Sequence, residues 1–534
     1  MAQWGDYTLY SLQNSTVAYL IKHDFSVYKS WTFPSTAKTG YSTYLLPGGE
    51  LLRTVVYTPN YFSGGGQTGR LQKYDWNGNL LWDFVYCTSS YSMHHDICPM
   101  PNGNVLLIAY ELKTPAQVTQ AGGASSITVW SEKIVEVKQT GPTTGEIVWE
   151  WKLWDHLVQS FDPTKDNYVS AISAHPHRLN INYKLTKDWI HMNGVDYNPI
   201  LDQITFSSHN LNEIYIIDHS TTTAEAAGST GGNAGKGGDF LYRWGNPAAY
   251  QRAGSQILNV VHDSHWIPEG VPNAGRMVAF NNKGYSSTRS SVDQIIPPLS
   301  GYNYTLEGTA AWSPLTYNDR HACNGYSSNM SSSQQLPNGN TFVCMATTGL
   351  LYEFNAAGTT IWQRQLTGSV AKAWRYNQCY LDNPLPAEPE ISLQDGVLIA
   401  SPAETWQWYY NGALIEGATS QAFTPQQPGN YLVRITQSGN CHYRYSASFK
   451  FDNTTSLNNA RVTDIQLFPN PATDRVSIQT GRQKFISAEA YSSDGHLLRR
   501  FDSQQLDLNG LSKGVILVKI LTDSGLSIRK LIIQ

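Results

Sequence analysis

The 534-residue chain is short of charge: Asp, Glu, Lys and Arg make up 15% of it, hardly more than the 12% given to Phe, Trp and Tyr. Its formal net charge is -4 and no cluster of Lys and Arg occurs, so the electrostatic footprint of a nucleic-acid-binding surface is missing. No apolar run approaches the roughly 20 residues that a bilayer-crossing helix needs. Long amphipathic helical patterns are absent too, which leaves strands as the building material. Cysteine is scarce, at six, with no C-x-x-C pair and no zinc-ribbon spacing. Cys87 and Cys98 are near enough in sequence to bridge, Cys441 has no evident partner, and buried free thiols are the expected state for most. The start, Met-Ala-Gln-Trp-Gly-Asp-Tyr, lacks the basic flank and apolar core of a secretory leader, so a leader has been removed or none existed.

What the chain has is Gly (43), Tyr (32), Trp (16) and an internal repeat. A strand ending in a polar residue, a short turn and a second strand carrying Trp or Tyr recurs at Ala18, Gly69, Glu132, Asn212 and Gly349, with a weaker copy, DQIIPPLSGYNYTLEGTAAW, from Asp293. Between these hairpins a second unit recurs, a turn with Gly followed by an apolar strand, as in HHDICPMPNGNVLLIAY and SSSQQLPNGNTFVCMA; AKAWRYNQCYL takes the sixth place without the turn. Two strand pairs per repeat, six times over, predict an all-β chain with a six-bladed β-propeller over residues 1–382. The tryptophans look scattered, without a regular docking pattern. A Pro-rich linker (383–390) leads to an immunoglobulin-like sandwich over 391–453. The polar spacer DNTTSLNNA precedes a small C-terminal β-sandwich over 462–534.

The turns also set a register for chemistry. His95 stands six residues before Pro101, His262 six before Pro268, and His191 six before Tyr197 in the equivalent slot. Equivalent positions of propeller blades are related by rotation about one axis, so the three imidazoles are expected to converge at one mouth. The matching slots elsewhere hold Tyr41 and Ser331. A single strand-end histidine is ordinarily a packed residue; three in one register need another explanation. His94, His209, His265 and His321 lie close by in sequence, and Asp96 and Asp263 each follow a histidine and could orient it. A neutral imidazole is a nucleophile near pH 7 and a protonated one is a cationic donor, which suits transfer of an anionic group. Three imidazoles at one mouth also suit a catalytic metal, so a metal-dependent hydrolase or lyase stays open.

Residues 1 to 382 resemble the bacterial aryl-sulfate sulfotransferases that use no nucleotide donor. The resemblance rests on HHDICPMPNGN, on DWIHMNGVDYNP with ITFSSHNLNEIYIID, on LYRWGNP, and on the HD-x-x-W-I-P-x-G and VAFNNKG around His262. It implies a cofactor-free ping-pong reaction in which a phenolic sulfate ester sulfates His262 and a second phenol takes the group. His95 and His191 match the histidines that stabilise the sulfuryl oxygens or manage the phenol proton. His209 stands where the family pattern usually has Arg, so transfer would need lower pH or a cation borrowed from a residue such as Arg243, Arg320 or Arg375. Asn193, in the His-x-Asn motif, and His265 complete the expected substrate-binding set.

The C-terminal unit resembles the sorting domain of type IX secretion substrates, found in Bacteroidetes, through LFPNPATD, YSSDGHLLRRF and the closing KGVILVKILTDSGLSIRKLIIQ. It implies export to the surface or medium, with the type IX secretion machinery as a partner. A reading from another class is a non-catalytic propeller that binds sulfated glycans or phenols. The insertion TTTAEAAGSTGGNAGKGGD, Thr221 to Asp239, has the composition of a flexible flap or lid.

Overall fold

The structure is a computed structural model that describes residues 5–452 and 465–534, apart from 482, 493 and 524; the spacer residues 453–460 lie outside the described set. Six four-stranded antiparallel sheets occupy residues 7–376. Their inner strands are Thr39–Leu45, Tyr91–Pro99, Met192–Asn198, Val261–Trp266, Ser332–Gln335 and Ala373–Tyr376. Each touches the next and the last touches the first, so the sheets stand around one axis as a β-propeller. The ring is closed by strand pairing: Tyr7–Ser11 lies antiparallel to Ala373–Tyr376, with Leu9 opposite Trp374. Sheets sandwiched between neighbours need apolar residues on both faces. Gln203–Ser208 and Glu213–Asp218 are accordingly buried at every position, whereas the outer strand Leu80–Val85 buries only Trp82 fully.

The tryptophans are not scattered. Each outer-strand indole donates its N–H into the following sheet: Trp31 to the Asp75 carbonyl, Trp82 to Thr144, Trp151 to Gly238, Trp244 to Pro314, and Trp362 to His23. A Trp both fills the wedge between diverging outer strands and ties its polar edge, as a buried indole requires. The sequence hides this because insertions make the spacing uneven. The fifth sheet breaks the rule. Its fourth strand is Asp319–Ala322, not the stretch after Asp293, because Pro297 and Pro298 cannot continue a ladder; Leu299–Ser300 and Asn303–Tyr304 form a separate hairpin. In place of Trp, His321 stacks on Phe354 of the sixth sheet, centroids 3.5 Å apart, so it belongs to the outer wall.

The insertion after Thr221 is likewise clasped rather than loose. Thr222 caps a short helix, Thr223–Ala226, and His156 ties the Ala226 carbonyl to Asp239, at 2.8 Å each.

Residues 391–451 form two further sheets, around Val397–Ala400 and around Thr405–Tyr410 with Gly429–Thr436, enclosing Trp408. Of these, residues 391–425 and 429–450 pack with the propeller as one compact unit. Several of the contacts fall on turns that follow inner strands: Glu269 accepts from Tyr409 and Tyr445 hydroxyls at 2.6 Å and pairs with Arg434 at 2.9 Å. Arg444 donates to the Pro101 carbonyl, and Gly412 lies against Leu201. A disulfide joins Cys379 to Cys441, giving Cys441 the partner its isolation in sequence concealed; Cys87, Cys98, Cys323 and Cys344 are free. Residues 465–534 form a second compact unit of two sheets around Val476, Val518, Ile520 and Leu531. No helix among the described residues is long and apolar enough to cross a membrane.

Candidate active site

The inner strands become irregular where they carry histidine. Pairing slips between Met93 and Ile97, between Met192 and Gly194, and between His262 and His265. His95 and His191 have φ of +50° and +55°, and Asp263 +57°. Left-handed backbone costs a non-glycine residue about 1–2 kcal/mol, a strain typical of functional sites. The slips break the two-residue alternation, so neighbours that would face opposite sides of a sheet point toward one place.

Four imidazoles line that place as an arc. Ring centroids are 4.7 Å apart for His95–His191, 5.1 Å for His191–His209 and 5.5 Å for His209–His262, with Tyr41 continuing the arc 4.9 Å from His95. Each ring has a second partner. The Asn282 amide nitrogen donates to the Ser327 carbonyl at 2.8 Å, which turns its oxygen to His262 Nδ1 at 2.7 Å. His262 therefore carries its proton on Nδ1, and its Nε2 lone pair accepts the Met330 N–H at 3.1 Å. Asp188 accepts from His191 Nδ1 at 2.8 Å, His209 Nδ1 meets Asn210 Oδ1 at 2.7 Å, and His95 Nδ1 meets His94 Nδ1 at 2.8 Å. His94 in turn holds Glu132 by Nε2 at 2.8 Å. A loop, Gly64-Gly65-Gly66, lies directly on the arc: a Cβ on Gly65 would sit 3.0 Å from His191 Cε1 and 3.9 Å from His95 Nε2.

Burial holds His95 and His262 well below the ordinary imidazole value, with neighbouring histidines adding to the effect; His209 is lowered for the same reasons. These rings are therefore uncharged bases at neutral pH. Asp188 is held below the usual carboxylate range: burial opposes this, but the His191 contact outweighs it. Farther along the axis Lys372 Nζ bridges Asp96 at 2.5 Å and Asp263 at 2.6 Å, all three side chains being sealed from solvent. Asp96 and Asp263 thus serve Lys372 rather than the imidazoles they follow in sequence.

The structure brings together His95, His191, His209 and His262, and not the remaining candidates. Asn193 is consumed in joining two inner strands, donating to the Val261 carbonyl at 2.7 Å and accepting from Ser207 at 2.6 Å. His265 turns to Asp263, 3.4 Å away. Arg243 pairs with buried Glu213, Arg320 with Asp293 at 2.6 Å, and Arg375 with Glu353 at 3.0 Å, each within its own sheet or the one beside it. None of the three guanidinium groups is a cation for the arc. Residues the pattern of turns did not single out are Glu132, Asp188, Lys372 and the Gly64–Gly66 loop; the triple glycine was the one visible signal. Among the described residues no group of three or more His, Cys, Asp or Glu is arranged to hold a metal ion.

The model of the arylsulfotransferase (ASST) family matches residues 57–377, more than half of the chain. The chain belongs to this family. The match runs from the second sheet through the strand that closes the ring, and so contains the whole imidazole arc. The protein is an aryl sulfotransferase, and a second match, to the secretion system C-terminal sorting domain over residues 466–534, marks it for export to the cell surface or medium. No curated protein matches the sulfotransferase. Solved structures similar to it include a protein of unknown function from Bacteroides caccae, at 11% identity over 69% of this chain and 98% of that one, TM-score 0.41. Another is a functionally unknown protein from Desulfotomaculum acetoxidans, at 8% identity over 71% and 91%, TM-score 0.36. At those scores neither bears on the reaction.

Proposed function

We propose that the enzyme moves a sulfuryl group from a phenolic sulfate ester to a phenolic acceptor by a ping-pong mechanism through His262. The observation that supports this most is the fixed tautomer: with Nδ1–H held by Asn282, the basic lone pair sits on Nε2, where it becomes free to attack once the Met330 N–H gives way. Nε2 attacks the donor sulfur, the S–O bond breaks and a phenolate leaves. The acceptor oxygen then attacks the same sulfur and the S–N bond breaks. Once Nε2 is sulfated, the Met330 N–H that occupied its lone pair becomes a donor for a sulfuryl oxygen. His191, with its Nδ1–H spent on Asp188, adds a second donor only when its Nε2 is protonated as well, and donors preset around a group that spreads charge over three oxygens are where such catalysis gains most. His95 manages the phenol proton. His209, neutral at pH 7, supplies positive charge only on the acid side. With Arg243, Arg320 and Arg375 all engaged, no borrowed arginine is needed in this scheme.

Intact-protein mass after brief exposure to an aryl sulfate without acceptor tests the reading. Wild type is expected to gain one sulfuryl group that added phenol discharges, and His262→Ala to gain none. Binding of the aryl sulfate without any mass gain from pH 5 to 8 would instead favour a non-catalytic binding propeller.

A further inference from the structure

Taking transfer through His262 as given, we propose that Glu132, His94 and His95 form a proton relay, with Glu132 storing the proton that the departing phenolate needs and the incoming phenol gives up. The three groups are in line: Glu132 Oε2 to His94 Nε2 is 2.8 Å, and His94 Nδ1 to His95 Nδ1 is 2.8 Å. They are closed off from water, with exposures of 0%, 1% and 3%. His94 lies flat on Tyr110, centroids 3.7 Å apart and planes 10° from parallel, so its ring is held with both nitrogens on their partners. The other Glu132 oxygen accepts the Met192 N–H at 2.9 Å, a donor placed to steady a carboxylate.

Two hydrogen-bond orders fit this line. With Glu132 protonated, its O–H donates to His94 Nε2, His94 Nδ1–H donates to His95 Nδ1, and His95 Nε2 bears a proton toward the arc. With Glu132 ionised every bond reverses, and His95 Nε2 bears a lone pair. Burial pushes Glu132 well above the usual carboxylate range and holds His94 well below the imidazole range, so the pair is a neutral hydrogen bond rather than an ion pair, and the protonated order is the resting one. The groups facing the relay are His191, His209, His262 and Asp188 from the neighbouring sheets, and the phenols of Tyr41 and Tyr110.

The relay balances the reaction. In the first half, His262 Nε2 bonds to sulfur, the donor S–O bond breaks, and the phenolate takes the proton of His95 Nε2. His95 Nδ1 receives the His94 Nδ1 proton, His94 Nε2 receives that of Glu132, and a carboxylate remains. In the second half the acceptor O–S bond forms, the S–N bond breaks, and the phenol proton runs back to Glu132. Charge is conserved: the donor brings one negative charge, which the sulfated enzyme holds on Glu132. His94 and Glu132 are positioning residues, acting through His95.

The test loads the full-length enzyme with 4-nitrophenyl sulfate, whose leaving group needs little protonation, and discharges it with phenol. Glu132→Gln keeps the shape but stores no proton; it is expected to take up the sulfuryl within about threefold of wild type, yet to discharge to phenol about 100-fold more slowly, the low end for a lost general base. Discharge to 4-nitrophenol, already anionic near neutral pH, is expected to recover most of that loss, and Glu132→Asp to recover part of it for phenol. In wild type sulfated from phenyl sulfate, whose phenolate must take the proton, infrared difference spectra are expected to lose a protonated-carboxyl band, a readout that stands even if the variant misfolds. Discharge of Glu132→Gln to phenol at the wild-type rate, or an unchanged carboxyl band in wild type sulfated from phenyl sulfate, would overturn the relay. Absence of any sulfuryl adduct in wild type overturns instead the transfer through His262 on which the relay rests.

Discussion

Gly66 meets the site with backbone alone. Its φ is +61°, its carbonyl accepts the His95 amide at 2.7 Å, and a Cβ built on it would fall well under 3.0 Å from Cγ, Cδ2 and Nε2 of His95. Non-bonded carbons settle near 3.5 Å, so in Gly66→Ala the imidazole must retreat by about 1 Å. A displacement of that size costs on the order of 100-fold in rate, while the left-handed alanine adds about 1–2 kcal/mol of instability. The assay is single-turnover loading from a chromogenic aryl sulfate, paired with a denaturant melt. Gly78→Ala is the control, since Gly78 has φ of +92° and nothing within 4 Å of its would-be Cβ. It should lose similar stability and keep its loading rate. A folded Gly66→Ala enzyme that loads within threefold of wild type would refute the idea that this loop fixes the imidazole.

His209 and His219 give opposite responses to pH. Burial and His191 lower His209, so its cation forms only below the ordinary value, while His262 stays neutral lower still; transfer should rise as pH falls below about 6.5. His209→Arg should flatten that rise and speed turnover at pH 7–8 by about tenfold or more, the worth of a charge-assisted hydrogen bond; a variant no faster than wild type there counts against the argument. His219 is buried, which lowers it, but hydrogen bonds to Asp202 and Glu136 outweigh this and raise it to about 9. A raised folded value means stability that is complete below about 6.5 and fades as pH climbs through about 9, by about 3 kcal/mol at 1.36 kcal/mol per unit. Denaturant melts between pH 6 and 10 would show it, and His219→Gln should remove the slope.

The repeat and the register of His95, His191 and His262 were legible because inner strands keep a constant distance from their turns, whatever the insertions elsewhere. The outer wall was not. Its tryptophans dock at intervals that insertions scramble, and the fifth sheet replaces Trp with His321. The arginines misled for a related reason: Arg243 and Arg320 have carboxylate partners on adjacent strands and Arg375 has one on the neighbouring sheet, and such pairing across a long stretch of chain cannot be read from spacing. His94 stood in plain view beside His95. Strict alternation would turn it away from the site, and only the slip between Met93 and Ile97 brings the two rings together.

The Lys372 bridge between Asp96 and Asp263 has a consequence for traffic. These side chains, each within 3% of full burial, tie three inner-strand segments together across the axis, and the sandwich braces turns that follow inner strands. A bridge that bars the axis to substrate would leave donor and acceptor one doorway, and the first phenol would have to back out before the second could enter. Under the transfer through His262 proposed above, a covalently parked sulfuryl group would let such a blind alley work: the cargo would wait inside while its carriers change places. Crowding by the acceptor should then appear as competition with the donor for the empty enzyme, a queue imposed by architecture rather than by affinity.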